Sequence, residues 1–332
     1  MRIGTMTNFT TSIESVREVL SDENHLLVSV VVPMRNAEKF ISETLASILR
    51  EKETPIEVIV VNDESTDQSL DRVLELQDNR IRVIDGPGRG ISACLNAGLA
   101  EVRGSIVMRC DADDLYPEPR IRRQVSWLKS HPEYDAVCGT YSTIAHRGNL
   151  ITELQCGANP ADITTELIDG IIRTHLCTYA IRSSSIAKAG GFREYFETAE
   201  DLDFQLRLGE ASRIGYVPEN WYFYRLHATS ATHMQRSVER EFFERISYDM
   251  QKQRRAFGQD DLQKGCPPAK PASVSSVVGD VNEEIQGMLL GKAWREHRTG
   301  NKARALKTGL RALTANPLNF SIWKSVFALI LK

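Results

Sequence analysis

Apolar residues recur in two alternating patterns along most of the first half of the chain. Leu27-Val28-Ser29-Val30-Val31-Val32 is a nearly continuous, β-branched run stopped by Pro33, as expected of a strand covered on both faces. Asn36 stands where it can cap a following helix, whose apolar face is Phe40, Ile41, Leu45, Ile48 and Leu49. A second buried strand, Val58-Ile59-Val60-Val61, ends in Asn62-Asp63. Helix Leu70 to Leu76, strand Ile81 to Ile84, helix Ile91 to Ala100 and strand Ser105 to Met108 continue the alternation. This spacing predicts an α/β fold with a mostly parallel sheet flanked by helices. Such sheets bind ligands at the carboxyl ends of their strands. Three clusters of polar residues stand at those ends: Arg35-Asn36, Asn62-Asp63, and Asp111 to Asp114.

The flanking regions follow other patterns. Residues 1–26 read as a leader with one short helix around Ile13 to Leu20, and residues 27–233 as the catalytic body. Within that body, helices are expected near Ile163 to Asp169 and from Glu200 to Leu208. A Gly190-Gly191 turn and strands near Ile214 to Val217 and Tyr222 to Tyr224 complete it. Residues 234–332 read as a helical C-terminal region, with a charged helix to residue 257 and a Pro/Ser linker near 265–276. Gly300-Asn301, Ala305, Ala312-Leu313 and Pro317 match half of one tetratricopeptide-like unit.

Charge changes this picture in one place. The chain carries a net −3, which gives no support for nucleic-acid binding. From Lys292 onward, however, nine basic residues stand against Glu296 alone, a local +8. At the end of this stretch, residues 320–332 are apolar and aromatic but too short to span a bilayer. In the helix after Asn301, one face carries Ala303, Leu306, Leu310 and Leu313, and another carries Arg304, Lys307 and Arg311. Such a tail suits peripheral contact with an anionic membrane, and equally suits packing on the catalytic domain or a second subunit. The six cysteines are scattered with no C-x-x-C pair, and acidic and polar residues interrupt every apolar stretch before Leu26, so no signal peptide is expected there. A cytoplasmic protein with reduced thiols, peripheral on the inner face of the cell membrane if the tail docks, is the expectation.

The segment richest in chemistry is Arg109-Cys110-Asp111-Ala112-Asp113-Asp114. Three carboxylates at the end of a buried strand repel one another, and a divalent cation relieves that repulsion. Hard oxygen donors in D-x-D spacing suit Mn²⁺ or Mg²⁺ with positions left for substrate phosphates. An acidic loop capping the next helix is the plainer alternative. Asp63 can accept a hydrogen bond from a base or ribose at the sheet edge, while Asp67 caps the helix at Leu70. Gly86-Pro87-Gly88-Arg89-Gly90 lacks dinucleotide spacing, and Arg89 is able to reach a phosphate. Glu200-Asp201 opens a helix, where a carboxylate is stabilised as the anion and suits a general base. Arg225 and His227 end the last strand, where they can neutralise a diphosphate or complete a metal shell.

Taken in order, these segments resemble family 2 of the inverting glycosyltransferases, with the Rossmann-like GT-A fold. The resemblance runs from about Val28 to Ser230. It rests on Val30-Val31-Val32-Pro33-Met34-Arg35-Asn36, Val60-Val61-Asn62-Asp63-Glu64-Ser65-Thr66-Asp67, and Gly90-Ile91-Ser92-Ala93 with Asn96. Asp111-Ala112-Asp113-Asp114, Gly190-Gly191-Phe192, Glu200-Asp201 and Tyr224-Arg225-Leu226-His227 follow in the family's order. The resemblance implies that Pro33, Arg35 and Asp63 border the nucleotide base and that Asp111 contacts the ribose or the metal-bound diphosphate. It implies that Asp113 holds the cation, that His227 assists the metal-diphosphate, and that Asp201 deprotonates the acceptor hydroxyl. Arg109 stands where the family carries an apolar strand residue, outside the inferred chemistry, and Leu49-Arg50-Glu51 replaces the family's usual glutamine. The resemblance further implies a UDP-sugar as donor and a saccharide or lipid-linked saccharide as acceptor. A nucleotidyltransferase would need a glycine-rich loop after Val32, which this sequence lacks. A non-catalytic scaffold could dispense with Asp113 or Asp201, and both are present.

Overall fold

The computed structural model describes residues 26–271, except 155 and 228–237, and residues 281–331, except 318. The leader helix expected within residues 1–25, and the linker beyond residue 271, lie outside the described residues.

The predicted alternation is present: β1 (Val28–Met34), α1 (Ile41–Leu49), β2 (Ile56–Asn62), α2 (Ser69–Leu74), β3 (Ile81–Asp85), α3 (Ile91–Ala100) and β4 (Ile106–Arg109). All seven residues of β1 are buried, because helices cover both faces of the sheet there. Gly98 is what lets α3 lie this close: a Cβ there would come within 2.5 Å of Val31 Cγ1. Asn36 does not cap α1. Its backbone is left-handed (φ 52°), and its side chain accepts the Thr66 N–H at 2.8 Å, tying the ends of β1 and β2 together. Asp67 does meet the start of α2, accepting the Ser69 N–H at 3.0 Å.

After α4 (Arg120–Ser130) come β5 (Ala136–Ala145), β6 (Leu150–Glu153), β7 (Ala161–Asp162), α5 (Thr164–Ile168) and a 3₁₀ turn (Leu176–Thr178). Then follow β8 (Ala180–Arg182), α6 (Ser183–Ala189), α7 (Glu200–Ala211) and β9 (Ile214–Leu226). The nine strands form one sheet in the order β3-β2-β1-β4-β8-β5-β9-β7, with β6 beside β5. β3, β2, β1 and β4 are parallel, β8 runs against β4 and β5, and β5 and β9 are parallel again. β6 and β7 are also antiparallel to their neighbours, so the sheet is mixed, with a parallel part running from β3 to β4 as expected. The two short strands expected near 214 and 222 are one strand, β9. Its register against β5 jumps from Cys138↔Tyr216 to Thr140↔Asn220, so bulges absorb Pro218 and its neighbours.

α8 (Val238–Phe257) packs Phe243 and Met250 against Phe196 and Ala199, just before α7. The chain expected to start a linker is held to the body as far as Lys270. Asp260 is buried, the Tyr195 hydroxyl bonds the Pro268 carbonyl at 3.0 Å, and Lys270 pairs with Glu197 at 2.5 Å. α9 (Val281–Arg298), α10 (Lys302–Ala315) and α11 (Phe320–Leu331) share a core with Ile151 of β6 and Leu226 of β9. The buried face of α10 is Ala305, Thr308, Gly309, Ala312 and Leu313, so the expected face through Ala303 and Leu310 is not the one that packs. Among the described residues, no helix is long and apolar enough to cross a membrane.

Candidate active site

The carboxyl ends of β1, β2 and β4 meet the start of α7 and the end of β9, and nearly every candidate residue stands along that edge. Pro33 is buried in β1, paired in register with Val61. Asp63 follows β2; its Oδ1 accepts the Gly88 N–H at 2.9 Å, and its Oδ2 lies 3.9 Å from the exposed Arg35 guanidinium. A Cβ at Gly86 would sit 2.6 Å from that Oδ1, so glycine is what brings the third loop onto Asp63. Arg89, 64% exposed, reaches Glu194 at 2.8 Å.

The D-x-D turn is fixed from beneath. Asp114 is fully buried, accepting from the Tyr222 hydroxyl and the Arg225 N–H, each at 2.6 Å. Burial pushes its carboxyl well above the usual carboxylate range, and Asp113 and Asp111 push the same way. The Tyr222 hydroxyl also accepts the Asp111 N–H at 3.0 Å, so one phenol holds both ends of the turn. Asp113 stands beside His227, with 2.8 Å between Oδ2 and Nε2.

Arg225 has a different place from the one expected. Its guanidinium is 1% exposed and is held by the Asp113 carbonyl (2.7 Å), the His146 carbonyl (2.6 Å) and Glu43 (2.8 Å). Buried on β9, it braces the D-x-D turn through the Asp113 carbonyl. Asp111 also differs. Its Oδ1 accepts from Arg109 Nε at 2.7 Å and its Oδ2 from the Cys177 thiol at 3.6 Å. The expected metal set of Asp111, Asp113 and His227 therefore comes together only as the pair Asp113–His227.

Among the described residues, no group of three or more His, Cys, Asp or Glu side chains surrounds a single point where a metal ion could sit. The pair Asp113–His227 nonetheless suits a cation that arrives with phosphates. Mg²⁺-like ions commonly take one or two carboxylates and complete their shell with water and substrate oxygens.

Arg109 was expected to lie outside the inferred chemistry, and the structure sets it between two of the candidate site's carboxyls. Its guanidinium spans from Asp111 to Glu200, which it meets at 3.1 Å. Two residues apart on an extended segment, Arg109 and Asp111 share a face, and that spacing was the available signal. Burial opposes ionisation of Asp111, but the Arg109 guanidinium holds its carboxyl below the ordinary range. Burial also pushes Glu200 up to about 7, against the pull of Arg109, with Asp201 pushing further. Glu200 is 9% exposed and committed to this pair, whereas Asp201 is 26% exposed.

Arg109→Met removes the guanidinium that pairs with both carboxyls and should cost about 3–5 kcal/mol at neutral pH. The sign with pH follows. Both carboxyls then have folded-state pKa values raised above their unfolded ones, so each disfavours folding increasingly as pH rises. Urea melts should show the gap from wild type widening from pH 5 to pH 9.

The helix that carries Asp201 begins after Ala199, whose backbone is left-handed (φ 58°). It is fastened from behind by buried charges: Asp203 pairs with Arg193 and Arg207, and Arg193 and Arg254 both reach Asp260 at 2.5 Å. The Asn96 side chain exchanges two hydrogen bonds with the Phe192 backbone, at 2.7 and 2.9 Å, joining α3 to the Gly190-Gly191 turn.

A mixed sheet with a D-x-D turn at one strand end and an acidic helix start beside it defines a glycosyltransferase of the GT-A kind. A family model described as Glycosyl transferase family 2 matches residues 29–198, and the chain belongs to that family. A Haemophilus influenzae protein described as an uncharacterized glycosyltransferase is 28% identical over 242 residues, covering 68% of this chain and 73% of that protein. Glycosyltransferase EpsJ of Bacillus subtilis is 30% identical over 217 residues, covering 62% and 63%. A hyaluronan synthase of Pasteurella multocida is 26% identical over 209 residues, which is 62% of this chain but 21% of the synthase. Among solved structures, S. aureus TarS 1–349 in complex with UDP-GlcNAc superposes with a TM-score of 0.56 at 22% identity, over 66% of this chain and 65% of that one.

Proposed function

We propose that this glycosyltransferase moves a sugar, with inversion, from a UDP-sugar to a saccharide or lipid-linked saccharide acceptor in the synthesis of a cell-surface polysaccharide or glycan. The observation that carries this reading is the juxtaposition of the D-x-D turn and the acidic start of α7, joined by Arg109. The UDP-GlcNAc complex of TarS and the names of the polysaccharide synthases among the relatives support it.

In this reading, Pro33, Arg35 and Asp63 receive the nucleotide base, and Asp111, oriented by Arg109, faces the ribose or diphosphate. Arg89 changes partner from Glu194 to a phosphate. Asp113 and His227 would hold Mn²⁺ or Mg²⁺, which when bound supplies neutralising charge for the departing diphosphate. Asp201 takes the proton of the acceptor hydroxyl as that oxygen attacks the anomeric carbon from the face opposite the leaving group, so one displacement inverts the centre. Peripheral contact with an anionic membrane belongs to the same reading and is supported by Phe320, Trp323 and Phe327, exposed together on α11. A lipid-linked acceptor would be presented at that surface.

Hydrolysis of a panel of nucleotide sugars, with Mn²⁺ and with EDTA, tests the donor and the cation together. A UDP-sugar should be cleaved fastest and only with the cation. Equal rates in EDTA, or preference for another nucleotide, would overturn that part of the reading.

A further inference from the structure

His175 precedes the 3₁₀ turn at Leu176–Thr178 and caps it, its Nδ1 accepting the Cys177 N–H at 3.3 Å. That bond fixes the tautomer: with Nδ1 an acceptor, the proton of the neutral ring is on Nε2. Nε2 faces Asp201, 3.6 Å from Oδ2. This separation is longer than a hydrogen bond, but the catalytic bonds of unliganded enzymes are often long and tighten with substrate.

The ring sits among three tyrosines. Tyr222 lies nearly parallel at 6.3 Å (15°), and Tyr141 at 6.0 Å and Tyr224 at 5.9 Å are tilted to it. Tyr222 is also the phenol that bonds Asp111 and Asp114, so the imidazole rests on the side chain that fixes the donor-side turn. Burial lowers the His175 pKa below the usual range; Asp201 and Asp111 pull the other way, Arg109 and Arg240 act with burial, and the balance favours the neutral ring. A neutral donor can orient a carboxylate while leaving it more basic than an imidazolium would.

We propose that His175 is the positioning residue of the general base, its Nε2–H turning the Asp201 carboxylate toward the acceptor hydroxyl. This rests on the reading of Asp201 as the base. The capping bond and the contact with Asp201 use different nitrogens, so two substitutions separate them. His175→Asn keeps an acceptor for the Cys177 N–H but does not reach Asp201. His175→Gln returns an N–H near the position of Nε2 and gives up the cap. Steady-state kinetics and donor calorimetry on the full chain are the measurements.

In His175→Asn, kcat should fall about 10–100-fold, with the donor Kd unchanged. His175→Gln should recover most of the loss, and in an Asp201→Asn background His175→Asn should cost nothing further. An unaltered kcat in His175→Asn beside a crippled Asp201→Asn would overturn the positioning role alone. So would an equal loss in the Asn and Gln variants, or a donor Kd that moves with kcat. An active Asp201→Asn would instead overturn the reading of the base.

Discussion

In Asp201→Asn, kcat is expected to fall by about 10²–10⁴-fold while the donor binds as in wild type. Asparagine has the shape of the acid but cannot accept a proton. Its amide oxygen can still take the Leu202 N–H that Asp201 Oδ1 accepts at 2.9 Å, so the start of α7 should be undisturbed. The position favours an anion, because the first turn of a helix presents unpaired N–H groups and the positive end of its dipole. Glu200 is the neighbouring alternative, and its surroundings argue against it: it is buried against Arg109, while Asp201 is the more exposed of the two at 26%. Single-turnover transfer to acceptor, compared with donor affinity by calorimetry, separates the two. If transfer persists at the wild-type rate, Asp201 is not the base.

Asp113→Ala should act on the donor instead. The carbonyl of residue 113 still receives Arg225, and Asp114 beside it still anchors the turn, so the fold should survive. What is lost is the carboxylate facing His227. Donor affinity should become the same with Mn²⁺ as with EDTA, and transfer should fall on the order of 10³-fold, equivalent to several kcal/mol of charge stabilisation. Calorimetric titration of UDP with and without the cation provides the check. A variant that keeps its Mn²⁺-dependent gain in affinity would remove Asp113 from the cation site.

The strand-and-helix alternation from Val28 to Arg109 was legible because each strand there is a β-branched run and each helix shows a clear apolar face. From Ala136 to Arg182 the strands were not legible. β5 reads Ala-Val-Cys-Gly-Thr-Tyr-Ser-Thr-Ile-Ala, small and polar with a glycine in the middle. That glycine is required: a Cβ there would lie 2.6 Å from the Glu219 carbonyl, where β9 bulges. Such a strand is defined by its partner, which local pattern does not reveal. The candidate site divides in the same way. Asp63, Asp113 and Asp201 follow strands or open a helix, so position alone pointed to them. The buried place of Arg225 was not legible because the end of β9 does not show locally which of its residues turn inward. His175 was passed over because it is a single histidine in an irregular segment, and only the folded chain brings it to Asp201 from 26 positions away.

The buried charges behind α7 bear on how such enzymes can recombine. Asp203 and Arg193 belong to the body, but Arg254 and Asp260, which complete their cluster, come from α8 and the turn after it. The family match ends at residue 198, two positions before Glu200. A chimaera cut near residue 233, joining this body to the C-terminal part of a relative, would separate Arg193 from Asp260 and loosen the helix bearing Asp201. An exchange that moves residues 199 to 271 together keeps the cluster's own pairs except those to Arg193, and one that moves the body through residue 271 keeps them all. The unit that can be inherited intact is thus longer than the unit that can be recognised.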